Sequence, residues 1–403
     1  MLFDTTVLLT RAGLIASLII SSIQPVVGYR ITRSYHQFAQ IPKTYQNNII
    51  HRPISNETQC LAYYERYTNT SVYDDTTIGH QSAVLLDNCI IEQMQQYQQS
   101  EMGAISVVLG LLPAGLTQIG LSTSHFSLLA SRRPVLATLL SFGALTVLPM
   151  DAETLPSLRQ PVRVPTRPGF LGSNSVAIKA LVTTIEYLVA LGAVANVLWE
   201  VYFLTYQSVC WAAIQLLQMQ GLPETVVPLF WALFPVVAQL LSHLAMWIQL
   251  YRRKRKYGEK GTPYEFTTWP PSLWTRVITE LTPSSWGSPL VAPEVRGIER
   301  GSLLMLELAV TQVVNLCSIA HVFMGTIILS TMQFISLRNA VIILVRLLSG
   351  TIIVRAVVQY ELHGMREVSQ EKGLGRQRDV SVAIDSHYVG QGKPQSHTRD
   401  GGY

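Results

Sequence analysis

Three long stretches of this chain, residues 102–131, 225–251 and 308–337, contain no Lys, Arg, Asp or Glu. About 20 apolar residues in a helix, rising about 1.5 Å each, cross a hydrocarbon core about 30 Å thick. Runs of this kind predict membrane-spanning helices, because in hydrocarbon every backbone N–H and C=O must be paired within the segment itself. The expected fold class is therefore all-α: a polytopic transmembrane helix bundle with a small lumenal or extracellular N-terminal region. Charged residues make up 14% of the chain, against about 25% in soluble proteins. The formal net charge of +5 is carried beside apolar spans rather than across a folded face. Membrane lipid is thus an expected partner and nucleic acid is not.

The N-terminus reads as a secretory signal over residues 1–28. Arg11 flanks an uncharged, mostly apolar run over 12–23, and Val26, Val27 and Gly28 place compact residues where signal peptidase cuts. Cleavage is expected after Gly28. An uncleaved signal anchor competes, because Asp4 and a single Arg make a weak positive flank. Residues 29–101 then form the lumenal or extracellular region. They hold two N-x-S/T acceptors, at Asn56 and Asn69, and two of the four cysteines, Cys60 and Cys89. Glycosylation at both asparagines and one disulfide between these cysteines are expected there. Cys210 and Cys317 lie in apolar stretches and read as small buried hydrophobes.

The remaining organisation follows from charge and length. A membrane region is expected over 102–251, a cytosolic loop over 252–302, a second membrane region over 303–360 and a disordered cytosolic tail over 361–403. The first span after the ectodomain covers about 102–122, with Gly110 and Ala114 in small-xxx-small spacing and Pro113 inside it. Arg132 and Arg133 follow and are assigned to the cytosol. Residues 135–148 are apolar but only 14 long and bounded by Pro134 and Pro149, which suits an interfacial or re-entrant helix. Residues 176–219 would extend roughly 66 Å as one helix. One span over about 176–199 is preferred, followed by an interfacial segment rich in Trp199, Tyr202, Tyr206 and Trp211. Five basic residues in a row, 252–256, end the next span and fix that end in the cytosol. The final two helices cover about 303–324 and 339–358, with a hinge between 325 and 338. This gives five spans. A seven-span topology needs 135–148 to cross and 176–219 to be two helices. It ranks second because it exposes Arg159, Arg163 and Arg167 to the lumen.

Ionisable groups at bilayer depth are costly, so each is a candidate functional residue. Glu186, Glu307, His321 and Arg346 are the candidate intramembrane polar residues. Lys179 and Glu200 share a helical stripe with Glu186, and Asn315 lies near His321. A pairing of Arg346 with Glu307 or Glu186 would offset two buried charges. Transport makes these groups an ion or proton path, whereas a structural role makes them interhelical glue. His243 reads as a packing histidine. No nucleophile-base constellation, metal-ligand spacing or phosphate loop is present, so neither enzymatic activity nor a cofactor is expected.

Two blocks carry a family resemblance. One runs through Leu85, Leu86, Asp87, Asn88 and Cys89 to residues 107–113 and 132–134. The other comprises residues 321–326, 334–336 and 361–365. Together they resemble a group of uncharacterised multi-pass membrane proteins of filamentous fungi, a likeness that implies no activity and no site residue. Three function classes follow from the residues: a non-enzymatic membrane protein that binds protein partners, a transporter or channel using the intramembrane polar residues, and a seven-span receptor-like protein. An integral membrane location in the secretory pathway or plasma membrane is common to all three.

Overall fold

The computed structural model describes residues 58–68, 76–150, 176–206, 208–217, 227–261, 273–286 and 302–389. The signal region, Asn56, Asn69, the arginine-bearing segment 151–175 and most of the loop 252–302 lie outside the described residues. Helix α1 (Thr58–Thr68) and α2 (Thr76–Glu92) form a hairpin, followed by α3 (Gln96–Ile119), α4 (Thr123–Ala130), α5 (Pro134–Ala144) and α6 (Val176–Tyr206). Strand β1 (Val209–Cys210), α7 (Trp211–Leu217), α8 (Val227–Gly261) and α9 (Leu273–Glu280) come next, with a 3-10 turn at Ser284–Trp286. The chain continues with α10 (Ser302–Ser330), β2 (Met332–Gln333) and α11 (Leu337–Val389).

Five helical segments among the described residues are long and apolar enough to cross a membrane: Gln96–Ile119, Val176–Tyr206, Val227–Gln249, Leu304–Ser330 and Leu337–Arg366. Their outward faces are apolar, with Leu188 64%, Leu316 66% and Leu111 65% exposed. Their inward faces carry the polar and small residues. On α6 the buried side is Thr183, Glu186, Ala190, Ala193, Val197 and Glu200. Apolar surface on this scale is incompatible with a soluble monomer and suits a lipid solvent. The protein is an all-α integral membrane protein.

α8 packs on α10, α10 on α3, and α11 on both α3 and α6, around a core that includes Leu109, Leu112, Val197, Trp231, Leu329 and Ile343. At one end of the bundle sits the α1–α2 cap, tied by the expected Cys60–Cys89 disulfide with 5.8 Å between Cα atoms. Tyr67, Leu86 and Ile90 of the cap bury against Val209, Ile214 and Phe334. The cap therefore rests on the two-stranded antiparallel ladder in which Val209 faces Gln333 and Cys210 faces Met332. Cys210 is buried, as expected.

Several expected boundaries move. α6 is one continuous helix to Tyr206, with no break at Trp199 or Glu200. Trp199, Tyr202 and Tyr206 are successive ring neighbours along it, at 6.3 and 5.2 Å between centroids. An unbroken α6 removes one of the extra crossings that seven spans require. Residues 361–403 were expected to be a disordered tail, but α11 runs unbroken to Val389. Its apolar stripe continues past residue 360, with Val358, Leu362 and Met365 packed into the core. An i, i+4, i+7 pattern of that kind extends a helix whatever the composition of the residues between.

The segment 135–148 is re-entrant. α3 breaks at Gly120, and α4 continues toward the bundle end opposite the cap. Arg132 and Arg133 then turn the chain, and α5 climbs back toward the middle. Pro134 opens α5 at its first position, where no N–H is needed. α5 stops at Leu145, which adopts φ 50° and ψ 29°. The chain then descends, and Leu148 bridges Ser122 at the break between α3 and α4. α5 lies so close to α6 that a Cβ on Gly143 would stand 2.7 Å from the Cβ of Ala193. Only a glycine permits that approach.

Candidate functional site

The turn between α4 and α5 places a fully buried guanidinium inside the bundle. Arg133 is 0% exposed. Its Nη1 donates to Oε2 of Glu186 on α6 and lies 3.1 Å from Oε1 of Glu361 on α11. Its Nε donates to the Glu280 carbonyl at 2.9 Å, and its guanidinium carbon lies 5.6 Å from the centre of the Tyr187 ring. Glu361 is held from its far side by the backbone N–H of Ser284, at 3.2 Å from Oε2, and by the Ser284 hydroxyl.

Glu280 belongs to the same cluster but serves the helix end. Its Oε1 accepts the Leu136 N–H at 3.0 Å and the Tyr187 hydroxyl at 2.6 Å. Leu136 is the third residue of α5, whose first-turn amides have no intrahelical acceptor. A carboxylate supplied from α9 therefore caps α5, whose own N-cap residue, Arg133, makes no side-chain cap bond. Two buried atoms at the centre of the cluster have no hydrogen-bond partner: Oε1 of Glu186 and Nη2 of Arg133.

The second polar feature lies where α5 ends. Residues 145–150 are not helical, so their backbone groups need partners from elsewhere. α10 supplies them from one face at three-residue spacing. Nε2 of His321 lies 3.4 Å from the Leu145 carbonyl, Ser318 Oγ donates to the Val147 carbonyl at 2.7 Å, and Oδ1 of Asn315 accepts the Met150 N–H at 2.9 Å. His321 is fixed between Trp231 and Phe234, stacked at 5.4 and 5.6 Å. Thr351 of α11 donates to the Ala144 carbonyl at 2.8 Å. Arg355 donates to the Ile119 carbonyl at 2.9 Å at the α3 break.

Of the four candidate residues, Glu186 and His321 sit in these two features, but in different ones. Arg346 pairs with Glu200 at 2.7 Å, not with Glu186 or Glu307 as expected. Glu200 lies two turns of α6 from Tyr206, so it is the carboxylate at the depth of Arg346, while Glu186 is claimed by Arg133. Glu307 lies near the opposite end of the bundle, roughly 20 Å from Arg346 along the axis at 1.5 Å per residue. His243 packs as expected, with Nδ1 3.4 Å from the Ser127 carbonyl.

Arg133, Glu280, Glu361 and Ser318 did not stand out in the sequence as site residues. Arg133 was assigned to topology alone because it neighbours Arg132. A signal was present nonetheless: Pro134 behind it starts a helix, and Glu186 and Glu361 each lie on a stripe that points inward.

A third polar group links the cap to the bundle. Asp87 of α2 is 4% exposed, and Oδ1 has no partner. Burial pushes its carboxyl up to about 7, partly offset by a hydrogen bond from Gln333. An unfolded Asp ionises near pH 4, so the folded cap holds its proton to higher pH than the unfolded chain does. Cap stability is therefore greatest at low pH, falls as pH rises from about 4 to about 7, and levels off above that. Asp87→Asn is expected to flatten this profile between pH 5 and 8. Amide hydrogen exchange of α2, corrected for intrinsic pH dependence, measures it; an equally sloped variant would refute the assignment.

No protein-family model, curated protein or solved structure matches the chain.

Proposed function

We propose that this membrane protein is non-enzymatic and moves a small solute or ion across the bilayer. The observation that carries this reading is the re-entrant hairpin α4–α5. It places non-helical backbone at residues 120–122 and 145–150 deep in the bundle. Backbone of that kind is tolerated at membrane depth only inside protein or along a cavity, and discontinuous helices are the recurring framework of transport sites. The buried Arg133, with partners on α6 and α11, ties the hairpin to two full spans, so a shift of the hairpin is felt by both. Partner binding, the first reading of the sequence, has less behind it: among the described residues no feature of the cap singles out a partner.

The location proposed is the secretory pathway or plasma membrane. The disulfide supports an oxidising compartment on the cap side, and the basic run at 252–256 supports a cytosolic assignment for the opposite end, where Arg133 lies.

The test uses the purified full chain in liposomes on a solid-supported membrane. Sodium, potassium, chloride, inorganic phosphate, an amino-acid mixture and a hexose are applied in turn, with and without a pH gradient. At least one probe is expected to give a current or uptake above protein-free vesicles. Folded, reconstituted protein that moves none of them would reject the reading.

A further inference from the structure

We propose that Glu186 and Glu361 form a proton-binding dyad in which the two carboxyl groups share one exchangeable proton against the single guanidinium of Arg133. The role of that proton in transport rests on the reading above; its existence does not.

Charge balance is the first argument. The ionisable groups facing the cluster are Arg132 and Arg133 from the turn, Glu186 and Tyr187 from α6, Glu280 from α9 and Glu361 from α11. With Tyr187 neutral, two cations face three carboxylates, a net of −1. Glu280 is satisfied by the Leu136 amide and the Tyr187 hydroxyl, and Arg132 turns outward to the Ser284 carbonyl at 3.2 Å. The excess charge therefore falls on Glu186 and Glu361, which compete for one arginine. Their side chains are 6% and 0% exposed, so water does not screen it, and an uncompensated buried charge is among the costliest arrangements in a protein.

Contact geometry is the second. The Glu361 carboxyl lies within hydrogen-bonding reach of Glu186, while Oε1 of Glu186 has no donor. Two carboxylates have only acceptor oxygens and cannot bond to each other. One added proton supplies the missing donor and brings the net charge to zero in a single step.

Ligand size is the third. A sodium or calcium ion would need several oxygens around it, with calcium taking six to eight. Here the space between the carboxyl groups is filled by the guanidinium nitrogen itself, and a proton requires no further room. Removing it would leave like charges adjacent on α6 and α11, each pulling on Arg133. Occupancy by the proton would thereby bias the position of the re-entrant hairpin.

Infrared spectroscopy of the full chain in lipid bilayers reads the proton directly. The wild type is expected to show the carbonyl stretch of a buried protonated carboxylic acid at neutral pH, shifted in heavy water. Glu186→Gln and Glu361→Gln should each abolish it, because either leaves one carboxylate facing one guanidinium, a balanced pair that ionises. Glu200→Gln should leave the band intact. Absence of the band in the wild type, or its survival in either dyad variant, would overturn the proposal, and the wild-type spectrum decides the first point even if a variant fails to fold. A band that behaves as expected in a protein that moves no solute would retain the dyad and reject transport. Transport without the band would do the reverse.

Discussion

Arg133→Met is expected to destabilise the protein by about 3–5 kcal/mol, the usual cost of stranding a buried ionic partner. No discount for solvent applies, since the Arg133 side chain is 0% exposed. The substitution keeps much of the aliphatic stem but leaves Glu186 and Glu361 facing each other without a cation. It also takes away the donor that satisfies the Glu280 carbonyl. Adding Glu186→Gln and Glu361→Gln to Arg133→Met should recover most of the loss, because neutral amides can donate as well as accept. Thermal unfolding of the purified protein in detergent, followed by size-exclusion chromatography, would measure the series. Strong non-additivity is the signature of groups that act as one network. A single variant within 1 kcal/mol of the wild type, or a triple variant no better than the single, would show that the cluster does not hold the hairpin.

Spans and sites were legible to different degrees, for physical reasons. Runs without charge and about 20 residues long report on the hydrocarbon thickness, so all five spans could be read before any contact was known. The disulfide was readable because two cysteines stood alone in a polar segment. Partners across the bundle were not. Arg346 could have met any of several carboxylates, and the choice of Glu200 depends on the depth at which α6 and α11 cross. Arg133 was read as a solvent-side charge because positive-inside reasoning counts charges next to spans. That rule does not foresee a chain that turns at an arginine and carries it back inward. The helical extent of 361–389 was missed for a related reason: Gly, Gln, Ser and charge dominate its composition, while the stripe from Val358 to Met365 that docks it is sparse.

The re-entrant segment offers the second large effect. Asn315→Leu, Ser318→Ala and His321→Phe together should release residues 145–150 from α10. Each removes the only side-chain partner that the structure shows for a main-chain group at Met150, Val147 or Leu145. Leaving a buried backbone group unpaired costs about 1–3 kcal/mol, and 1.4 kcal/mol is a factor of ten in an equilibrium. Exchange of the amides from 145 to 150 should therefore accelerate by roughly ten- to a hundredfold, while α3 and α6 keep their protection. The singles separate the contributions. Ser318→Ala should act most strongly on stability, since its 2.7 Å bond is the shortest of the three. His321→Phe should act least, because a phenyl ring preserves the stack between Trp231 and Phe234. Unchanged exchange in the triple variant would mean that the segment is held by the closeness of Gly143 to Ala193 and by Thr351. In that case the α10 stripe would be packing rather than a clamp. Faster exchange confined to 145–150 would instead identify a hinge, one that can open without dismantling the spans around it, as a hairpin moving within a fixed bundle requires.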